Sequence, residues 1–251
     1  MKITAFFMSI IAAISFFFSS FPALFQKIST AVIDVDTSAI GDIIPNVVDN
    51  VNIWHMGNSF HNAERNEEND VFEFVKYVQL MQCTGGTADR DLFIDPYDTS
   101  TLTDYKFDAL IENCRGILNL GAKPHLKLGG VPLKFTSDYI MGGFGMNPYP
   151  PDDFEAYYGY IKAIAEALVE EFGLEEVKSW RFGVMTEYEN SDWFLSPDGS
   201  PESTAIAYCK LYDYTVDALQ KAVGEDVFVG AHSMTVTEGL WDESIFIEHC
   251  A

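Results

Sequence analysis

The chain has 251 residues, 48% of them hydrophobic and 14% aromatic, which argues against a disordered chain and is enough for one large domain or two small ones with a core. A formal net charge of −23 argues against nucleic acid and anionic membrane surfaces as partners and fits a soluble protein working outside the cell.

Residues 1–27 stand apart in composition. Lys2 is followed by an almost uncharged run from Ile3 to Phe25 that closes on Gln26-Lys27. This reads as a secretory signal peptide or an amino-terminal membrane anchor, since the run is long enough to span a bilayer; a buried core helix is the alternative. Residues 28–49, with Asp34, Asp36, Asp42 and Asp49, read as a linker. The four cysteines, Cys83, Cys114, Cys209 and Cys250, form no CxxC pair and no metal-ligand spacing with histidine, so they read as small buried apolar residues. Neither a metal nor a cofactor is expected, and GxGxxG, P-loop and GxSxG motifs are lacking.

From Val47 onward, short apolar runs alternate with helical stretches. Val51 to Met56 reads as a first strand and Tyr77 to Cys83 as a second. Leu110, Ile111, Cys114, Ile117 and Leu118 recur at helical spacing within Phe107–Leu120, with Gly121 as the stop. Lys123 to Leu128 is a third strand. Asp152-Asp153 caps a helix over Phe154–Phe172, which closes at Gly173. The fourth strand is the apolar run Phe182–Met185. A helix over Ser203–Val223, a fifth strand at Val227–Gly230 and a helix over Leu240–Cys250 complete the series. Such alternation predicts an α/β fold, a parallel sheet covered by helices.

The fourth strand runs straight into Thr186, Glu187, Tyr188, Glu189 and Asn190, followed by Trp193-Phe194. A carboxylate at the carboxyl end of a buried strand, with aromatic rings just beyond, suits cleavage of a sugar whose flat face stacks on those rings. The plainer alternative makes Glu187 and Glu189 ordinary acids in a solvated loop. Gly142-Gly143-Phe144-Gly145, with Pro148, Pro150 and Pro151, reads as a long flexible loop over the same mouth.

Tyr105 to Pro132 resembles the stretch of family 39 glycoside hydrolases, the β-xylosidases and α-L-iduronidases, where a helix leads into barrel strand 3. Phe172-Gly173, Glu176-Val177, Trp180, Phe182, Val184 and Glu187 match that family's Tyr-Gly-x-x-Glu-Val-x-x-Trp and Phe-Glu-Val-Trp-Asn-Glu-Pro-Asn. Tyr208, Leu211-Tyr212 and Thr215 fit its helix 4, and Val229-Gly230 its strand 5. The resemblance covers roughly residues 50–250. It implies a (β/α)8 TIM barrel, here truncated after about strand 5 and helix 5, with the site at the carboxyl ends of the strands. By the match, Glu187 falls on the general acid/base of a secreted hydrolase of O-glycosidic bonds. When configuration is retained, a second carboxylate stands about 5 Å away and attacks the anomeric carbon. In the family that nucleophile follows strand 7, beyond residue 251. Glu238 and Glu243 come too early and read as surface acids.

The departures are specific. Thr186 replaces the family's asparagine and Met185 the tryptophan before it; Gln79 and Met81 stand for an arginine and a histidine in strand 2. They point to altered substrate or to lost activity. Thr186, Tyr188, Trp193, His55 and His232 are the candidate substrate contacts. The alternative is packing under the loop for Tyr188 and Trp193 and a structural role for His232, and alternation turns one of Trp54 and His55 outward. His125, inside the third strand, reads as a satisfied core residue. The expected partner is an oligo- or polysaccharide, with a membrane reached only through a possible amino-terminal anchor. A non-catalytic carbohydrate-binding or cell-surface barrel protein remains the second function class.

Overall fold

The computed structural model describes residues 49–53, 56–233 and 243–251. The segments read as signal peptide or anchor (1–27) and as linker (28–49) lie outside these residues except for Asp49, as do Trp54, His55 and Glu238. Among the described residues, no helix is long and apolar enough to cross a membrane.

Five strands form one parallel sheet in chain order: β1 (Asn50–Ile53), β2 (Tyr77–Leu80), β3 (Lys123–Leu128), β4 (Arg181–Val184) and β5 (Val229–Gly230). The helices are α1 (Asp108–Asn119), α2 (Phe154–Phe172), α3 (Leu174–Lys178), α4 (Pro201–Val223) and α5 (Ser244–Cys250). Chain-ordered parallel strands with returning helices are the winding of a (β/α)8 barrel, and among the described residues the sheet stays open at β1 and β5. β2 and β5 are three and two residues shorter than their apolar runs, β4 is as long as its run but starts one residue earlier, and β3 matches. The crossing from β1 to β2 uses a 3-10 segment, Glu67–Phe74, in place of an α-helix. The preceding stretch from Asn58 to Asp70 is too polar for an apolar stripe of helical period.

Helix ends follow their caps. Asp153 Oδ1 accepts the Glu155 N–H at 2.9 Å at the start of α2, and Ser200 Oγ accepts the Ser203 N–H at 3.1 Å at the start of α4, two residues earlier than Ser203 suggested. Gly121, at φ +87°, turns the chain out of α1, and Ala122 N–H closes back on Ile117 O at 3.2 Å.

Alternation along the strands sorts the side chains into two layers. Val78, Leu80, Leu126, Leu128, Phe182 and Val184 are buried beneath helices, in one core with Leu110, Ile117, Tyr157, Tyr160, Ile161 and Trp180. Truncating one of these leucines to alanine would cost about 2–5 kcal/mol. The opposite face carries Asn52, Gln79, His125, Lys127 and Arg181. Gln79 there donates to Asn52 Oδ1 at 3.3 Å, and the Arg181 guanidinium lies 3.8 Å over the Tyr77 ring. His125 is not a satisfied core residue: its Nδ1 is buried without a hydrogen-bond partner. Burial and the neighbouring Lys127 and Arg181 cations lower its pKa to about 4.

The glycine-rich loop is tied to the loop after β4. Gly143 N–H donates to Asp192 Oδ1 at 2.9 Å. A Cβ on Gly142 or Gly143 would meet Asp192 at 2.8 or 2.7 Å, so these glycines serve close approach. Cys83, Cys114 and Cys209 are buried free thiols as expected, whereas Cys250 is exposed.

Candidate active site

The chain leaves β4 through two residues in left-handed backbone, Met185 (φ +63°) and Glu187 (φ +49°), on either side of Thr186. Non-glycine residues pay of order 1–3 kcal/mol each for such a conformation, which persists where surrounding bonds over-determine it. Here Glu187 N–H donates to Ser233 O at 2.7 Å, and Asn190 N–H returns to Glu187 O at 2.8 Å. The Glu187 carboxylate is half-buried and accepts from Asn190 Nδ2 at 3.2 Å. A small cleft at the carboxyl ends of β2, β3 and β4 is lined by Gln82, Lys127, Met146, Met185, Thr186 and Trp193 among others; Glu187 follows the lining residue Thr186 but is not itself in the lining.

The other candidates divide. Thr186 and Trp193 line this cleft, and Phe144 of the glycine loop covers Trp193 with ring centroids 4.8 Å apart. Tyr188 offers no face to a sugar. It is fully buried and stacks on Tyr208 at 4.0 Å with parallel planes, its edge against His232. Glu189, the rival acid, is 2% exposed and faces inward beneath the loop.

His232 is likewise inside. Its ring Nε2 lies 3.3 Å from Glu243 Oε2 and 3.9 Å from Glu189 Oε2, with its side chain 4% exposed. Burial, with the Lys127 cation, lowers its pKa to about 4, so at neutral pH the ring is neutral and these approaches are not ion pairs. Glu243 is no surface acid: it is largely buried and accepts from the Tyr188 hydroxyl at 3.2 Å. His55 lies outside the described residues.

Lys127 reaches across the polar face to Ala231 O at 3.3 Å, and burial brings its pKa down to about 8. Sequence reasoning missed Lys127; its position in β3, out of step with Leu126 and Leu128, was the available signal.

The sequence profile of glycosyl hydrolases family 39 matches residues 91–251, well over half of the chain. The chain belongs to that family. Among its curated relatives, a β-xylosidase of Caldicellulosiruptor saccharolyticus is 28% identical over 122 residues, 48% of this chain and 23% of that protein. A β-xylosidase of Geobacillus stearothermophilus is 26% identical over 148 residues, 59% of this chain and 28% of that one. The chain thus spans about a quarter of the length of these relatives.

The fold of this family 39 chain is shared with two crystal structures. A monomeric β-xylosidase from Caulobacter crescentus CB15 superposes with a TM-score of 0.57 at 17% identity, over 79% of this chain and 38% of that one. A family 39 enzyme from Xanthomonas axonopodis pv. citri gives 0.58 at 18% identity, over 77% and 37%.

Proposed function

We propose that the protein is an exported glycoside hydrolase that cleaves O-glycosidic bonds of an oligo- or polysaccharide with retention, using Glu187 as general acid/base. The observation that carries this reading is the Glu187 turn. A half-exposed carboxylate at the end of β4, one residue beyond the cleft-lining Thr186, is held in strained backbone by Ser233 and Asn190. Its rival Glu189 is 2% exposed among the described residues, which favours Glu187 as the acid that meets substrate. The acid protonates the leaving oxygen, then takes a proton from the water that hydrolyses the glycosyl-enzyme. The attacking carboxylate is proposed to come from beyond residue 251, after a seventh strand. Residues 1–27 are proposed to direct export. Thr186, Trp193 and Lys127, by its ammonium group on the cleft lining, are the proposed substrate contacts. The β-xylosidase relatives make xylosides the first substrates to try.

In the complete protein, Glu187→Ala should slow cleavage of substrates with poor leaving groups by about 10²–10⁴. Aryl glycosides with good leaving groups, which need no protonation, should suffer far less in their first step. Azide should restore turnover with a product of retained configuration. Glu189→Ala should not reproduce this pattern. An unimpaired Glu187→Ala would overturn the assignment. Sugar binding without any turnover in the parent would favour the non-catalytic barrel.

A further inference from the structure

We propose that Glu189, His232 and Glu243 form a binding site for a divalent cation of the zinc type. The three side chains come from the loop after β4, the residue pair after β5 and the residue before α5, and nothing in their sequence spacing announces them. One ligand atom from each lies within 4.8 Å of the others.

The argument starts from the hydrogen bonds of Tyr208. In a parallel ladder whose register pairs Phe182 with Val229 and Gly183 with Gly230, the next rung would run from His232 N–H to Val184 O. The Tyr208 hydroxyl stands in that gap: it donates to Val184 O at 3.1 Å and accepts the His232 N–H at 3.0 Å. Its one hydrogen is therefore committed. His232 Nδ1, 3.2 Å from the same oxygen, must be the donor there.

That fixes the tautomer. Nε2 carries the lone pair, is buried without a hydrogen-bond partner, and faces two carboxyl groups at 3.3 and 3.9 Å. An unpartnered imidazole lone pair with two carboxyl oxygens within 4.8 Å is a donor set that a cation can hold together. A metal about 2.0–2.2 Å from each N and O donor, in tetrahedral angles, sets donors about 3.4 Å apart. The observed separations reach that with small side-chain rotations.

The donor set also selects the ion. One imidazole with two carboxylates suits zinc or cobalt; it is too poor in oxygens for calcium and holds no thiolate for copper(I). The outer contacts have the usual form, with Nδ1–H donated to Tyr208 and Glu243 Oε2 accepting from Tyr188. Such an ion would tie together the β4 loop, the end of β5 and the start of α5. Ser233, next to His232, is the residue that holds Glu187 N–H, so the ion would steady the loop that bears Glu187.

The test uses the complete protein stripped with a chelator and titrated with Zn²⁺ and Co²⁺. One equivalent should bind, raise the melting temperature and, for Co²⁺, give visible absorption without the near-ultraviolet band of a thiolate ligand. Glu189→Gln and Glu243→Gln should each weaken binding by at least about tenfold, while Cys250→Ser leaves it unchanged. The metal-free melting curves of these variants report whether they fold, and either one alone suffices. Failure of Zn²⁺ to bind, a thiolate band in the Co²⁺ spectrum, or full affinity in both glutamine variants would overturn the site and leave shared protons to hold the three groups together.

Discussion

The side chain of Lys127 on β3 lies across Gly183, its partner in register on β4, and reaches Ala231 O beyond it at 3.3 Å. A Cβ at residue 183 would stand 2.8 Å from Lys127 Cδ and 3.0 Å from Nζ. Only a residue without a side chain lets a lysine bridge three strands here.

Gly183→Ala should therefore act through Lys127. Displacing a flexible side chain is cheap in itself, but it breaks the bond to Ala231 O and strands a buried amine, at a cost of about 1–3 kcal/mol. In a Lys127→Met background the same glycine substitution should cost much less, with a coupling of about 0.5–3 kcal/mol in urea unfolding. Additive effects would show that Lys127 does not depend on Gly183.

The strain at residue 187 predicts a trade between stability and activity. Because φ is +49° there, Glu187→Gly should be more stable than Glu187→Ala by about 1 kcal/mol, although both lack the acid. Thermal melts of the two variants decide it. Equal stability would mean that the turn relaxes to ordinary backbone and is not held by Ser233 and Asn190.

Tyr208→Phe removes the bridge between β4 and β5. It leaves Val184 C=O and His232 N–H without the partner they have now, at about 1–3 kcal/mol for each orphaned group. Chemical denaturation should show a lower midpoint with an unchanged slope. A loss under about 0.5 kcal/mol, the usual range for an inconsequential surface change, would mean the two strands pair directly once the hydroxyl is gone.

His125 predicts a pH dependence with a definite sign. Its folded pKa, about 4, lies below the ordinary 6.5 because burial and the Lys127 and Arg181 cations oppose its charge. The unfolded chain thus takes up the proton first. Stability from this residue is complete above about pH 6.5 and is lost as pH falls toward 4. His125→Leu should flatten the fall in melting temperature between those limits relative to the parent. Parallel curves would show that His125 already finds solvent in the folded state.

The sequence by itself determined the elements and their order. Apolar runs, helical spacing at Leu110–Leu118 and the caps at Asp153 and Gly121 are local signals, set by side-chain period and backbone geometry, and they reappear within a few residues of where they were read. The family resemblance carried by Phe172–Glu187 is local in the same sense, and it pointed to Glu187 without needing contacts. Burial was the tertiary structure's decision. Tyr188 and Glu189 flank the same acid in sequence, yet alternating turn geometry sends both inward, where Tyr208 covers the ring and His232 meets the carboxyl. Glu243 changed from a surface acid to a largely buried one for the same reason: it meets Tyr188 from the β4 loop and His232 from beyond β5, and no period along the chain encodes an approach across three elements.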